Sequence, residues 1–226
     1  MKILSCKPQH GAYLELTLED GQVHRVHREI AAQYGLSQAE EIPEDTLRQL
    51  LFDNDLRRAF QRALYLLDGQ DYSFQMLFKK LEKSYHEDVC YEVMSRLVKQ
   101  GFINDWKYAQ QIAAKAFEGK RYGPRRIRQI LYEKGIPETV ISKVLRPYAE
   151  DLETQIEHLL QLLERKYSRF LERPEDQQSI AKVKRALLRM GYGYGPIQTA
   201  LQEYFEETLS GYDSEYEDES ADEDLL

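Results

Sequence analysis

Apolar residues recur along this chain at two different periods, and the change from one to the other divides it. Over residues 13–18, Tyr-Leu-Glu-Leu-Thr-Leu, apolar and polar side chains alternate; Glu19-Asp20-Gly21-Gln22 supplies a turn, and residues 23–30 resume an extended pattern. A period of two places one face of a strand against a core, so the segment predicts a small β-hairpin. A short helix is expected over residues 30–34, stopped by Gly35, and another from Pro43-Glu44-Asp45 through Leu47, Leu50 and Leu51. From residue 55 the spacing is wholly helical. Leu56, Phe60, Ala63, Leu64 and Leu67 form a stripe ending at Gly69; Phe74, Leu77, Phe78 and Leu81 form the next, with Ser73 placed as its N-cap; Val89, Val93 and Leu97 form a third, ending at Gly101.

This group of three short helices recurs. Asn104-Asp105 opens a helix through Tyr108, Ile112 and Ala116, Gly123-Pro124 introduces Ile127 and Leu131, and Gly135-Ile136-Pro137 introduces Val140, Ile141, Val144 and Leu145. A third round runs through Ile156, Leu159, Leu160, Leu163, Tyr167 and Phe170, resumes after Pro174 with Ile180, Val183 and Leu187, and finishes after Pro196 with Ile197, Leu201 and Phe205. Residues 72–85 and 178–191 each superpose on 122–135, bringing Leu81, Leu131 and Leu187 together. The pattern predicts a mainly α fold of three tandem three-helix repeats, over 55–103, 104–148 and 149–208, forming an elongated curved array. A hairpin and short-helix extension over 1–54 precedes it, and a tail over 209–226 follows. Arrays of this kind expose long surfaces that bind extended partners.

Composition removes several classes. With 42% hydrophobic residues the chain can form cores, yet its longest unbroken apolar run spans only residues 63–67, far below the about 20 residues of a spanning helix. No membrane association is expected. The first residues lack an export-type apolar stretch, and the only cysteines, Cys6 and Cys90, form no Cys-x-x-Cys pair, so reduced thiols and a cytoplasmic location are expected. Charge changes the picture more. The net charge of −8 conceals eight acids and no base in residues 212–226; the first 56 residues are net −5 and residues 57–211 net +5. A basic middle can attract a polyanion whatever the whole-chain balance. The tail's composition predicts disorder, and a polyanion able to compete for the basic surface or simply to solubilise the chain.

The densest basic run is Lys120-Arg121-Tyr122-Gly123-Pro124-Arg125-Arg126-Ile127-Arg128, continuing to Lys134. On a helix entered at Pro124, Arg125 and Arg128 share a face while Ile127 and Leu131 turn inward, and the Gly-Pro entry is expected to leave helix-start amides exposed beside them. Lys182, Lys184, Arg185 and Arg189 occupy the repeat-equivalent helix of the third unit. The two clusters read either as one stripe for neutralising phosphates or as ordinary solvated helix faces. Tyr65, Tyr72, Tyr108 and Tyr122 fit a core edge better than a stacking platform. His24 and His27, three apart on a strand, point to opposite faces and do not suggest zinc. No phosphate-loop, dinucleotide, zinc-protease or nucleophile-elbow motif occurs, so no catalytic residue, cofactor or metal ligand is expected.

Three linked motifs, taken in order, resemble a known family. They are Ala63-Leu64-Tyr65-Leu66 with Tyr72-Ser73 and Leu77-x-x-Lys80-Leu81; Gly101-Phe102-Ile103-Asn104-Asp105-x-x-Tyr108-Ala109; and Gly123-Pro124-x-Arg126-Ile127-x-x-x-Leu131-x-x-Lys134-Gly135-Ile136. The chain resembles the RecX regulatory proteins, modulators of the bacterial recombinase RecA, over about residues 55–205. The end-to-end repeats are expected to make a monomer, and the resemblance implies a non-enzymatic protein that lies in the groove of a RecA filament on single-stranded DNA. It would alter filament assembly or ATPase in recombination, DNA repair and the SOS response. The alternative is a stand-alone helical DNA-binding protein without a recombinase target.

Overall fold

The computed structural model describes residues 1–219, with side chains as far as Thr208. The chain is mainly helical, carries a small N-terminal sheet, and divides after Asn104 into two compact units.

In the first unit, β1 (Ile3–Pro8), β2 (Tyr13–Leu18) and β3 (Val23–His27) form an antiparallel sheet in the order β1-β2-β3. The expected hairpin is β2 and β3, which pair from Tyr13↔His27 to Thr17↔Val23. The additional strand, β1, shows no period-two alternation; it joins through backbone pairing with β2, with an irregularity between Ile3 and Ser5. Leu16, Leu18 and Val26 turn inward onto α1 (Arg28–Gln33) and the first half of α2 (Glu44–Gly69).

Two helices were expected over 43–69, separated near residue 54. The structure has one helix of 26 residues, α2, so the expected boundary between 54 and 55 falls inside it. Asn54 explains the apparent break. It is a polar residue at an inward position, 3% exposed, and both ends of its amide are bonded: Oδ1 accepts from the His27 N–H at 2.9 Å and Nδ2 donates to the Arg25 carbonyl at 3.0 Å. A buried amide satisfied on both sides fastens the end of β3 to the helix. Before it, Leu47 and Leu50 serve the sheet's core; beyond it, Leu56, Ala59 and Ala63 pack with α3 (Phe74–Leu81) and α4 (Glu87–Lys99). Ser73 caps α3 as expected, its hydroxyl accepting from the Met76 N–H at 3.1 Å.

The second unit holds two further three-helix groups. In one, α5 (Asp105–Ala114) ends in a π-turn over Lys115–Gly119 and packs with α6 (Pro124–Glu133) and α7 (Glu138–Glu150) around Phe117, Ile127, Leu131 and Ile141. In the other, α8 (Leu152–Leu162) runs into a π-turn over Leu163–Tyr167, followed by α9 (Gln177–Arg189) and α10 (Tyr194–Glu219), around Leu159, Val183, Leu187 and Ile197. Burying one such Leu or Ile stabilises by about 1.5–3 kcal/mol, which is how three marginal helices hold together. Of the tail over 209–226 that was expected to be disordered, the backbone of 209–219 continues α10, and residues 220–226 lie outside the described residues.

Candidate nucleic-acid interface

The start of α6 is built from both groups of the second unit. Gly123 and Gly191 meet backbone to backbone: a Cβ on Gly123 would lie 2.4 Å from the Gly191 carbonyl carbon, and one on Gly191 would lie 2.2 Å from the Arg126 nitrogen. Gly191 also has φ +95°, a left-handed conformation that a side chain disfavours. The close approach lets the Gly123 N–H donate to the Met190 carbonyl at 2.9 Å and the Arg125 N–H to the Gly191 carbonyl at 3.1 Å. The Arg126 and Ile127 amides reach back to the Gly123 carbonyl. The helix-start amides are therefore capped by the chain itself, which corrects the expectation that they stand open to an anion.

Side chains carry the positive field instead. The first turn of α6 holds Arg125 and Arg126, with Arg128 just behind, and no acid. Cations at a helix N-terminus oppose its macrodipole, at about 0.3–1 kcal/mol each. Such a breach of a local rule is a mark of function. Arg125 and Arg126 line a groove of about 680 Å³ between α6 and the end of α9, together with Gln129, Lys166 and Arg189. Tyr122 and Tyr167 stand in the same groove, and no Asp or Glu is among its lining residues. Lys120 and Lys166 each lie over the ring of a groove tyrosine, at 5.9 Å and 5.5 Å from the centroids. Arg189, in the last turn of α9, is where a helix favours a cation.

The remaining candidates are distributed otherwise. Arg121 turns inward: Nη1 donates to the Glu118 carbonyl at 2.8 Å and to His158 Nε2 at 2.7 Å, and Nη2 to Gln161 Oε1 at 3.1 Å. Its own carbonyl accepts from the Tyr192 hydroxyl at 2.9 Å, and its φ of +52° is the only positive value on a described residue other than glycine. Arg121 thus ties α5, α8 and the α9–α10 turn together. Tyr192 is fully buried, which pushes its hydroxyl pKa up. Arg128 pairs with Glu138, whose pKa is lowered by Ser142 and by that arginine. Lys134 is half-buried at the end of α6, with an interaction of its own. On α9, Lys182 and Arg185 follow Arg189 along one exposed face, whereas Lys184 lies by a separate hollow with Pro174 and Gln177. The two clusters share one groove only through Arg189.

Lys166 and Gln129 also line the groove, and neither stands out in the sequence. Lys166 sits in the π-turn, where one extra residue per turn breaks the 3.6-residue spacing used to sort inward from outward positions. The available signal was the parallel with residues 115–119, where the first helix of the preceding group ends in the same way.

Comparison with known proteins covers these same helices. Residues 104–145 match the family description "RecX, second three-helix domain" and residues 153–201 match "RecX, third three-helix domain", so the groove lies between the two matched domains. The regulatory protein RecX of Trichlorobacter lovleyi is 30% identical over 131 residues, which are 58% of this chain and 84% of that protein. That of Clostridioides difficile is 28% identical over 177 residues, 78% of this chain and 82% of that one. The crystal structure of RecX from Lactobacillus salivarius, at 27% identity, superposes with a TM-score of 0.62 over 67% of this chain and 97% of its own. Another crystal structure of a regulatory protein RecX, at 23% identity, shares the fold with a TM-score of 0.68 over 89% of this chain. The three-helix domains, the linked motifs and these relatives together make the chain a member of the RecX family of regulatory proteins.

Proposed function

We propose that the chain regulates a RecA recombinase filament on single-stranded DNA, altering its assembly and activity without catalysing a reaction, and that it does so as a cytoplasmic monomer. Its contact with the DNA-bearing partner is the groove between α6 and α9. One observation carries the nucleic-acid part of the reading: Arg125, Arg126, Lys166 and Arg189 line a single groove with two tyrosines and no carboxylate, the combination that suits a single strand, whose phosphates need cations and whose bases need flat faces. The recombinase part rests on membership of a regulatory family.

The test is retention of purified RecA by the immobilised full chain, with and without single-stranded DNA, alongside binding of bare DNA. Retention that rises with DNA and falls in the Arg125→Ala/Arg126→Ala double variant is the expected result. Equal affinity for bare and recombinase-coated DNA would instead make the chain a stand-alone DNA-binding protein.

A further inference from the structure

A second groove opens on the other side of the Gly123–Gly191 contact, and its chemistry differs. Of about 590 Å³, it is bounded by the start of α6, the end of α7, the start of α8 and the turn before α10. Its floor is aliphatic, made by Pro124, Leu145, Ala149, Leu152 and Pro196, and its polar wall is Arg125, Arg128 and Arg146. No aromatic ring and no carboxylate is among the lining residues. Leu152 is 53% exposed in this hollow, an apolar side chain facing solvent in a lining that also holds three arginines.

We infer that this groove docks an acidic segment of a partner protein, anchored by an aliphatic side chain between Leu145 and Leu152 and held by the three arginines. Charge complementarity selects the sign of the partner, since arginine clusters recognise carboxylates bidentately. The floor selects protein over nucleic acid: aliphatic carbons match a leucine or isoleucine, whereas bases favour the aromatic faces found in the α6–α9 groove. Gln155 adds a backbone-reading element. Its Nε2 is fixed on the Tyr148 carbonyl at 2.8 Å, and its Oε1 accepts no hydrogen bond among the described residues, which leaves an acceptor for a peptide N–H in the wall. Arg128 and Arg146 are already oriented by Glu138 and Glu150; both pairs are exposed and weak enough to exchange for an incoming carboxylate. Arg125 has no ion pair among the described residues and borders both grooves.

The inference is independent of the nucleic-acid reading and is tested on the full chain by fluorescence anisotropy. The probes are a labelled synthetic peptide of alternating Asp/Glu and Leu, the same peptide with Ser for each Leu, and a labelled single-stranded oligonucleotide. Binding of the leucine peptide, weakened at least about tenfold by Ser for Leu, by Leu152→Ser and by Arg146→Ala, supports the proposal. Leu152→Ser must leave oligonucleotide binding unchanged, and Lys166→Ala/Arg189→Ala must spare the peptide, while its effect on the oligonucleotide tests the nucleic-acid reading alone. Leu152 and Arg146 are exposed, and unchanged circular dichroism verifies the fold. Absence of peptide binding, equal binding of the Leu and Ser peptides, or loss of oligonucleotide binding in Leu152→Ser would each overturn it, the last by making this groove part of the nucleic-acid surface.

Discussion

Arg121 and Arg125 stand four residues apart in one basic run, yet their surroundings give them opposite tasks. Arg121 is held by Glu118, His158 and Gln161, so Arg121→Ala leaves the buried His158 Nε2 without its donor. A loss of about 1–3 kcal/mol in urea stability is expected, with groove affinity weakened through the fold; Arg125→Ala should leave stability within about 0.5 kcal/mol and weaken DNA binding directly. His158 makes the contact pH-dependent. Because Nε2 accepts from Arg121, the ring is neutral with its proton on Nδ1, which has no partner in the buried site. Burial, and then the Arg121 charge, lower the His158 pKa, with Glu118 pulling the other way. A group that binds its proton less readily in the fold contributes stability that is complete above its unfolded pKa of about 6.5 and is lost as pH falls from there through the lowered folded value. The urea midpoint should therefore fall between about pH 7 and pH 5, and the fall should be shallower in His158→Gln. His27, whose pKa burial also lowers, contributes the part that this variant retains.

At the scale of elements, the helical stripes were legible because a buried face has a period: Ile127 and Leu131, or Val183 and Leu187, are read from spacing and are buried in the fold. What escaped the period was set by something else. Strand β1 forms because its backbone groups pair with β2, and backbone pairing leaves little mark on side-chain order. The continuity of α2 was hidden by Asn54, a polar residue at a core position, whose partners lie far away in sequence. The groove was half legible for a related reason. Arg125, Arg126 and Arg189 stand on regular helices, whereas Lys166 rides on a π-turn, and the capping of α6 by the α9–α10 turn is a contact between repeats that no local pattern announces. That junction gives a prediction of two unequal effects. Gly191→Ala combines a left-handed φ with a Cβ 2.2 Å from the Arg126 nitrogen and should destabilise by about 2–4 kcal/mol. Gly195→Ala, in the first turn of α10 with nothing within 4 Å of its Cβ, should change stability by less than about 1 kcal/mol, because the helix favours alanine while the Pro196 ring that follows disfavours a side chain in the helical region. Chemical denaturation of both variants checks the pair, and amide hydrogen exchange at Arg125 should accelerate only in the first.

For the whole molecule, a net charge of −8 coexists with a groove whose charged lining residues are all cations, so distribution and not total charge governs binding. Four groove cations that each displace a counterion from single-stranded DNA set a salt slope, log K against log salt, of about −3. The Arg125→Ala/Arg126→Ala variant should flatten it by roughly 1.4; an unchanged slope would return these arginines to an ordinary solvated face. The contact between Gly123 and Gly191 has one more consequence, for how this sequence can change. Most touching positions can trade volume, a larger residue at one being accommodated by a smaller one at the other. Here the nearest obstacle to a Cβ on each glycine is a peptide atom of the other's segment, and a main chain has nothing to give up. No exchange at one position can license a side chain at the other, so among descendants that keep this junction the two sites should stand still separately and never vary in concert. The constraint that joins these two domains would then be invisible to any search for correlated substitutions.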